Sequence, residues 1–420
     1  MNASLVFTSA FAAALVVDLL LKFWLASRQI RHVAQHRNVV PADYASAISL
    51  ESHQKAADYT IAKARFGLIE VAWGAALLLA WTLLGGVDLL NKVLLAWLGG
   101  GMLQQLALLG AFTLIGSLLE LPFALWHTFV LEERFGFNKM TLKRWVLDLL
   151  IKTGLFIAFG LPITALVLWL MGATGALWWF WAWAAVAIFM LLAQLIYPNL
   201  IAPLFNKFKP LDDPTIKARV TALLKRCGFV AKGLFVMDGS TRSTHSNAYF
   251  TGFGANKRVV FYDTLLRQLS AGEMEAVLAH ELGHYKRHHI IKALVLSFTM
   301  SLIGFALLGW LCAQSWFYTG LGVQPNMSAP NNGLALLLFM LAIPVFTFLI
   351  GPLFAQFSRR NEFEADAYAV AQTNGNDLRA ALLKLYDDNK ATLTPDPVFV
   401  KFYYSHPPAS ERLARMAAPT

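Results

Sequence analysis

The sequence predicts a mostly α-helical, polytopic membrane protein with an additional α+β lobe formed by its polar segments. Of the 420 residues, 57% are hydrophobic and only 14% are charged, which is far from the usage of soluble domains. Several apolar runs exceed the roughly 18 residues that are needed to cross a hydrocarbon core of about 30 Å. The polar remainder contains the pentapeptide His-Glu-Leu-Gly-His at residues 280–284.

The apolar runs predict seven transmembrane helices. Their approximate bounds are 5–26, 64–84, 102–131, 147–170, 177–197, 292–313 and 334–357. The first run lacks a basic leader and a small-residue cleavage site, so we expect a helix rather than a signal peptide that is removed. The chain then divides into five N-terminal helices with their loops, a first polar block, helices six and seven, and a second polar block: 1–197, 198–291, 292–357 and 358–420.

The basic residues of the loops predict the orientation of these helices. Segment 27–63 carries five Lys or Arg and segment 132–146 carries four. The alternate segments carry one or none, namely 85–101, 171–176 and 315–333. Because Lys and Arg are enriched in cytoplasmic loops, we expect the N-terminus outside and both polar blocks in the cytoplasm. This topology accounts for the net charge of +10, and no basic patch interleaved with aromatic residues indicates a nucleic-acid partner.

The first polar block has the pattern of a small α+β unit. A helix is predicted near 213–227, and short strands are predicted at 234–237, 248–250 and 258–262, with a hairpin turn at 252–256. Ser270 followed by Glu273 is typical of a capping box that opens a helix. No helix breaker follows before Phe298, so we expect this helix to continue into the sixth span.

The pentapeptide at 280–284 lies on that helix. Positions i and i+4 are about 40° apart on a helix, so His280 and His284 aim two imidazoles at one point. This is the arrangement with which a helix binds Zn²⁺, and Glu281 beside it can take a proton from a zinc-bound water. The motif therefore predicts a zinc site in which Glu281 is the general base.

Such a site needs a third protein ligand, and two candidate regions exist. The extended motif with a third histidine fails, because its positions hold Arg287 and Ile290. The next two histidines, His288 and His289, are expected at the surface or against lipid headgroups.

The second region follows the seventh span. Glu362 and Asp366 stand at i and i+4 on one helical face, whereas Glu364 points to the other side. One carboxylate on that face can ligate zinc, and the other can accept a hydrogen bond from a ligand imidazole. We assign Glu362 as the third ligand and Asp366 as the supporting carboxylate.

The chain resembles the integral-membrane type-I CAAX prenyl protease family, which are seven-span zinc metalloendopeptidases. The resemblance rests on six segments: 129–138, 197–206, 239–253, 278–286, 358–366 and 404–407. It implies that the seven helices enclose a water-filled chamber that contains the active site. It also implies a peptide or protein substrate that can carry a CAAX-like C-terminus. The short N-terminal region and short outer loops are typical of a bacterial member, so we expect the cell inner membrane.

The resemblance further implies roles for residues outside the zinc motif. Asn247, Ala248 and Tyr249 occupy the edge strand along which an extended substrate pairs. His406 is expected to stabilise the tetrahedral oxyanion, and Arg412 is expected to hold developing charge or a substrate carboxylate.

Two other interpretations of the sequence remain open. The first is a membrane quality-control or stress metalloprotease of the same superfamily, which has fewer spans. The second is a transporter or receptor in which the His-Glu-x-x-His motif is accidental. A transporter would have inverted repeats and broken helices. This interpretation would also leave the position of Glu362, on the helix that follows the seventh span, unexplained.

Overall fold

Seven long helices dominate the structure, a computed structural model that describes residues 2–251, 257–327 and 330–417. Within these ranges, seven helices are long and apolar enough to cross a membrane. They are Ala3–His36, Leu50–Trp81, Met102–Glu132, Leu142–Ala173, Gly175–Phe205, His289–Leu311 and Asn332–Gln372. The seven predicted spans are confirmed, and we number them one to seven in this order.

Spans one and seven extend well beyond the ends predicted from their apolar cores. Span one reaches His36 and span seven reaches Gln372, because their polar ends pack inside the lobe formed by the polar blocks. Arg28 of span one donates two hydrogen bonds to the Asp396 carboxylate, at 3.2 and 2.9 Å. The lobe is therefore built directly on the ends of membrane helices rather than joined to them by flexible linkers.

A four-stranded sheet lies in the lobe. Its strands are β1 (Phe208–Pro210), β2 (Gly233–Met237), β3 (Ala248–Thr251) and β4 (Arg258–Tyr262), in the order β1-β2-β4-β3. The three predicted strands are present, whereas β1 was not predicted because three residues ending in proline carry too little pattern. The predicted turn at 252–256 lies outside the described residues. Among the described residues, β3 pairs only with β4 and stands at the edge of the sheet, so its outer edge can pair with a peptide.

The HExxH helix (Ala271–Lys286) does not continue into span six. It begins at the predicted capping box, in which Ser270 and Glu273 exchange side-chain and backbone hydrogen bonds. It ends before His288, whose φ of 57° is left-handed, and span six starts at His289. The prediction of one continuous helix was wrong, because the bend depends on tertiary packing that turns His289 inward. Nothing in the local sequence breaks the helix.

The segment predicted as a loop between spans two and three contains the helix Gly86–Leu98. Gly85 before it and Gly99 and Gly101 after it have positive φ, so glycines set both ends. Asn91 on this helix accepts a hydrogen bond from Gln104 of span three, at 2.8 Å. The prediction missed the helix because it weighed this segment only for its charge.

The HExxH helix and span seven cross at very short range. An ideal Cβ at Gly283 would lie 2.8 Å from the Ala365 Cα, closer than real Cβ atoms approach. Only glycine permits this approach, which places the two histidines opposite Glu362. The remaining helices of the lobe pack around this crossing; they are Pro214–Arg226, Asp263–Gln268, Gly375–Asp388, Pro397–Tyr403 and Ala409–Ala417.

Candidate metal centre

Three side chains converge where the HExxH helix crosses span seven. The His280 and His284 Nε2 atoms are 3.2 Å apart. The Glu362 carboxylate lies 3.4 Å from His280 Nε2 through Oε2 and 3.3 Å from His284 Nε2 through Oε1. Of the described residues, these three form a group of potential metal ligands whose donor atoms all lie within 4.8 Å of one another.

The triangle of donor atoms fits a tetrahedral metal ion. Bonds of ~2.0–2.1 Å from a tetrahedral metal place neighbouring ligand atoms roughly 3.3 Å apart. The two Nε2 atoms lie at about that separation, and so does each Nε2 from the carboxylate oxygen that faces it. Glu362 Oε2 is buried and has no hydrogen-bond partner among the described residues. Because an unsatisfied buried carboxylate oxygen is costly, this atom fits the position of a cation ligand.

The imidazole of His280 is supported from behind by a carboxylate. His280 Nδ1 donates to Asp366 Oδ1 at 2.8 Å, which leaves the Nε2 lone pair directed at the ligand triangle. Asp366 is in turn held by Arg412, whose Nε and Nη2 donate to its two oxygens at 2.8 and 2.6 Å. Burial lowers the pKa of His280, but the neighbouring carboxylates of Asp366 and Glu362 outweigh it and raise the pKa to about 9. The site thus favours positive charge.

His284 is supported by a different pair of residues. Its Nδ1 lies 3.0 Å from His289 Nδ1, and His289 Nε2 lies 3.1 Å from Glu364 Oε2. One set of tautomers satisfies the whole chain: His284 donates to His289, His289 donates to Glu364, and His284 Nε2 keeps its lone pair.

The expectation of a surface position is therefore wrong for His289, which is buried, and correct for His288, which is exposed. The bend at His288 turns His289 toward His284, and local sequence gives no sign of that bend.

The other predicted residues divide between two cavities. A cavity of about 460 Å³, here called the metal-facing cavity, is lined by six of the predicted residues: Asn247, Ala248, His280, Glu281, His406 and Arg412. Tyr249 lines a different cavity, with Tyr197, because successive residues of a strand face opposite sides. Tyr249 can therefore contribute to pairing at the β3 edge only through its backbone, because its side chain faces the other cavity.

Two residues of the metal-facing cavity escaped sequence reasoning. Tyr386 and Asn389 line it, and Asn389 Oδ1 lies 3.0 Å from His245 Nδ1. His245 in turn lies 3.6 Å from Glu132 at the end of span three, which accepts a 2.6 Å hydrogen bond from Tyr59 of span two. Neither Tyr386 nor Asn389 belongs to a recognisable motif, so the sequence holds no signal for them. These polar contacts, from Asn389 through His245 to Glu132, connect the metal-facing cavity to spans two and three.

Known families match nearly all of the chain. The family model described as CAAX prenyl protease N-terminal, five membrane helices, matches residues 29–207, and that of peptidase family M48 matches residues 210–420. The Arabidopsis thaliana CAAX prenyl protease 1 homolog is 34% identical and the Saccharomyces cerevisiae CAAX prenyl protease 1 is 33% identical. These alignments cover 95% and 94% of this chain, and 95% and 91% of those proteins.

A solved structure supports the same relationship. The crystal structure of S. mikatae Ste24p superposes with a TM-score of 0.91 and 29% identity, covering 98% of this chain and 99% of that one. The predicted fold class, seven transmembrane helices with a zincin-like α+β lobe, is confirmed. Neither the transporter or receptor interpretation nor the quality-control protease with fewer spans is favoured. The chain belongs to peptidase family M48, together with the CAAX prenyl proteases, and is a multi-span membrane metalloendopeptidase with a metal cofactor and peptide or protein substrates.

Proposed function

We propose that this protein is a zinc-dependent endopeptidase that cleaves near the C-terminus of CAAX-like peptides or proteins. The observation that carries the proposal is the ligand triangle of His280, His284 and Glu362 beside the free edge of β3. Two imidazoles and one carboxylate are a donor set of catalytic zinc sites, which leave one position open. The substrate class comes from the relatives, which are named CAAX prenyl proteases.

When zinc is bound there, it acts as a Lewis acid that makes a water molecule more acidic and polarises the substrate carbonyl. Glu281 lines the same cavity as His280 and is the general base. Burial raises the pKa of its carboxyl group, which makes it a stronger base than an exposed glutamate. It takes the proton of the attacking water and later delivers it to the leaving amine.

His406 is the proposed donor to the oxygen on which negative charge develops. Its Nε2 lies 3.4 Å from Glu362 Oε1, and 63% of its side chain is exposed, so a substrate in the cavity can reach it. Arg412 has two of its three nitrogens on Asp366, and its charge adjoins the same cavity. We propose that Arg412 stabilises developing charge while it holds Asp366 against His280.

The substrate is proposed to bind as an extended strand along β3. The outer edge of Asn247–Tyr249 supplies backbone pairing, and the Asn247 amide lies at the cavity as a second contact. Asn247 Oδ1 accepts a hydrogen bond from the Ala248 N–H at 2.8 Å, which orients its amide group toward its own strand. Pairing of this kind fixes the peptide backbone and leaves its side chains to be selected by the cavities.

The two polar blocks are proposed to form one cytoplasmic catalytic lobe. Block 198–291 supplies His280 and block 358–420 supplies Glu362, and these residues are in contact. The segments 1–197 and 292–357 form the membrane part, with the N-terminus outside, in a cell inner membrane. The alternation of basic loops supports this orientation.

The proposal is tested with the full-length protein in detergent and peptides that end in a CAAX-like tetrapeptide. Chelation is expected to abolish cleavage and zinc to restore it. Glu281→Gln removes the base but no ligand, so it should retain about one zinc per chain and lose roughly 10²- to 10⁴-fold in kcat. Glu411→Gln, at an exposed glutamate of the lobe, is the control and should match wild type. A Glu281→Gln enzyme with near wild-type turnover would refute the assignment of the base.

A further inference from the structure

A second, larger cavity adjoins the metal-facing cavity. It has a volume of about 630 Å³ and lies between spans one and two and the C-terminal part of the lobe; we call it the span cavity. Four residues line both cavities, namely Tyr386, Asn389, Ala391 and His406. The two cavities are therefore neighbours that meet at these four residues.

The charged side chains that line the span cavity are those of lysines. The described residues that line it include Lys22, Lys63 and Lys390 but no aspartate or glutamate. Lys22 is paired with Asp18 at 2.8 Å, and Lys390 with Asp387 at 3.0 Å.

Lys63 differs from the other two lysines in its surroundings. Its ammonium lies 4.8 Å from the centre of the Tyr59 ring, and no described carboxylate forms an ion pair with it. Lys63 is thus the lining lysine whose charge is available to an anionic ligand.

The remainder of the lining suits apolar side chains. Aromatic walls come from Phe399, Tyr403 and Tyr404, and space is left by Ala64 and Gly67 of span two. An ideal Cβ at Gly67 would have no neighbour within 4 Å. The cavity therefore fits a ligand that is apolar along its length and carries a negative charge.

The sheet determines which part of a substrate reaches the span cavity. The proposed pairing of the substrate is antiparallel, like that of β3 with β4, so the peptide runs from the Thr251 end toward Asn247. Beyond that end stands Asn389, whose Oδ1 accepts a 3.3 Å hydrogen bond from Ser246 N and which lines both cavities. The residues on the C-terminal side of the scissile bond are thus directed into the span cavity.

Arg412 is poorly suited to receive the terminal carboxylate of such a segment. It is only 6% exposed, and its Nε and Nη2 are already occupied by hydrogen bonds to the Asp366 carboxylate. We propose that the span cavity binds the C-terminal residues of the substrate and that Lys63 binds their free α-carboxylate. This inference rests on the proposed peptidase function and assigns a residue to its C-terminal specificity.

The test compares two peptides that differ only at the last group, a free carboxylate or a neutral amide. Wild type is expected to prefer the acid. Lys63→Met keeps the apolar stem and removes the charge, so kcat/KM for the acid should fall about tenfold more than for the amide, mainly through KM. Lys63→Arg should restore the preference. Lys55→Met, on the same helix but paired with Glu51, is the control and should leave the preference unchanged.

The outcomes separate this inference from the proposed function. Equal losses on the acid and the amide in Lys63→Met, or a wild type that does not discriminate between them, would overturn the role of Lys63 alone. Equal losses are also the expected result if Lys63 binds a lipid anion instead of the peptide. A wild-type protein that cleaves neither peptide would overturn the proposed function itself. The metal content of each variant is also measured, so that loss of the metal can be excluded as the cause of a lower kcat/KM.

Discussion

His289 illustrates how a residue that is not a ligand can govern a metal site. The imidazole of a ligand histidine must present one nitrogen to the metal, and the hydrogen bond at its other nitrogen sets the tautomer and the ring plane. His284 obtains this bond from His289, which is fixed by Glu364. The two proposed ligand histidines thus have separate supports, since His280 donates to Asp366.

We predict that His289→Ala weakens metal binding about 10- to 100-fold, the usual effect of losing such support. The measurement is the zinc dissociation constant from chelator competition, together with the visible spectrum of the cobalt-substituted protein, which reports ligand geometry. His288→Asn is a matched control, because His288 is exposed and asparagine also tolerates its left-handed φ. Equal metal affinity in both variants would contradict a supporting role for His289.

A second prediction concerns the pH dependence of metal binding. With the pKa of His280 at about 9, the metal-free protein holds a proton at pH 7 that the metal must displace. Affinity should therefore rise with pH between about 7 and 9, by up to about tenfold per unit for one proton released, and level off above. Asp366→Asn removes a carboxylate that raises this pKa, so its affinity should depend less on pH. Above about pH 9, where the proton no longer competes, it should bind metal more weakly than wild type because His280 has lost its support. An affinity that is constant from pH 7 to 9 would contradict the protonation of His280.

At the scale of elements, the site depends on how closely the HExxH helix approaches span seven. The approach occurs at Gly283 and Ala365, where a side chain on the glycine would collide with backbone atoms. The middle of the motif thus has a packing role that is separate from the chemistry of its histidines and glutamate.

Gly283→Ala is expected to force the two helices apart, at a cost of about 1–3 kcal/mol, and to weaken zinc binding. Thermal unfolding and the zinc dissociation constant measure the two effects. Gly351→Ala is the control, because it lies on span seven with nothing within 4 Å of its ideal Cβ, and it should leave both unchanged. Unchanged stability and zinc affinity in Gly283→Ala would show that the close approach of the two helices at Gly283 determines neither property.

The sequence predicted the elements that depend on local pattern and missed those that depend on packing. Spans are set by continuous apolar runs, and the ligand spacing on each helix is set by helical geometry. The bend at His288 has no local signal, because it is stabilised by the contact between His289 and His284. Tyr386 and Asn389 reach the cavity only through the tertiary fold, so no motif identifies them.

At the scale of the whole molecule, the charge of the loops gives a topology that can be tested independently of the site. Single cysteines are introduced in a variant that lacks Cys227 and Cys312, and intact cells are treated with an impermeant thiol reagent. Cysteine at Gly172 should be labelled, whereas cysteines at Lys209 and Lys401 should react only after the membrane is opened. Labelling at Lys209 from outside would reverse the proposed orientation and move the catalytic lobe to the other side.

The position of Glu362 on span seven has a consequence for the biosynthesis of the enzyme. The two proposed ligand histidines precede spans six and seven in the chain, and the proposed third ligand, Glu362, lies near the C-terminal end of span seven. A nascent chain that has inserted five or six helices therefore holds only part of the ligand set. It gains the ability to retain metal only when the last helix is in place beside the HExxH helix. The protein is thus expected to emerge from the ribosome as an inert precursor and to become a protease only once its membrane assembly is complete.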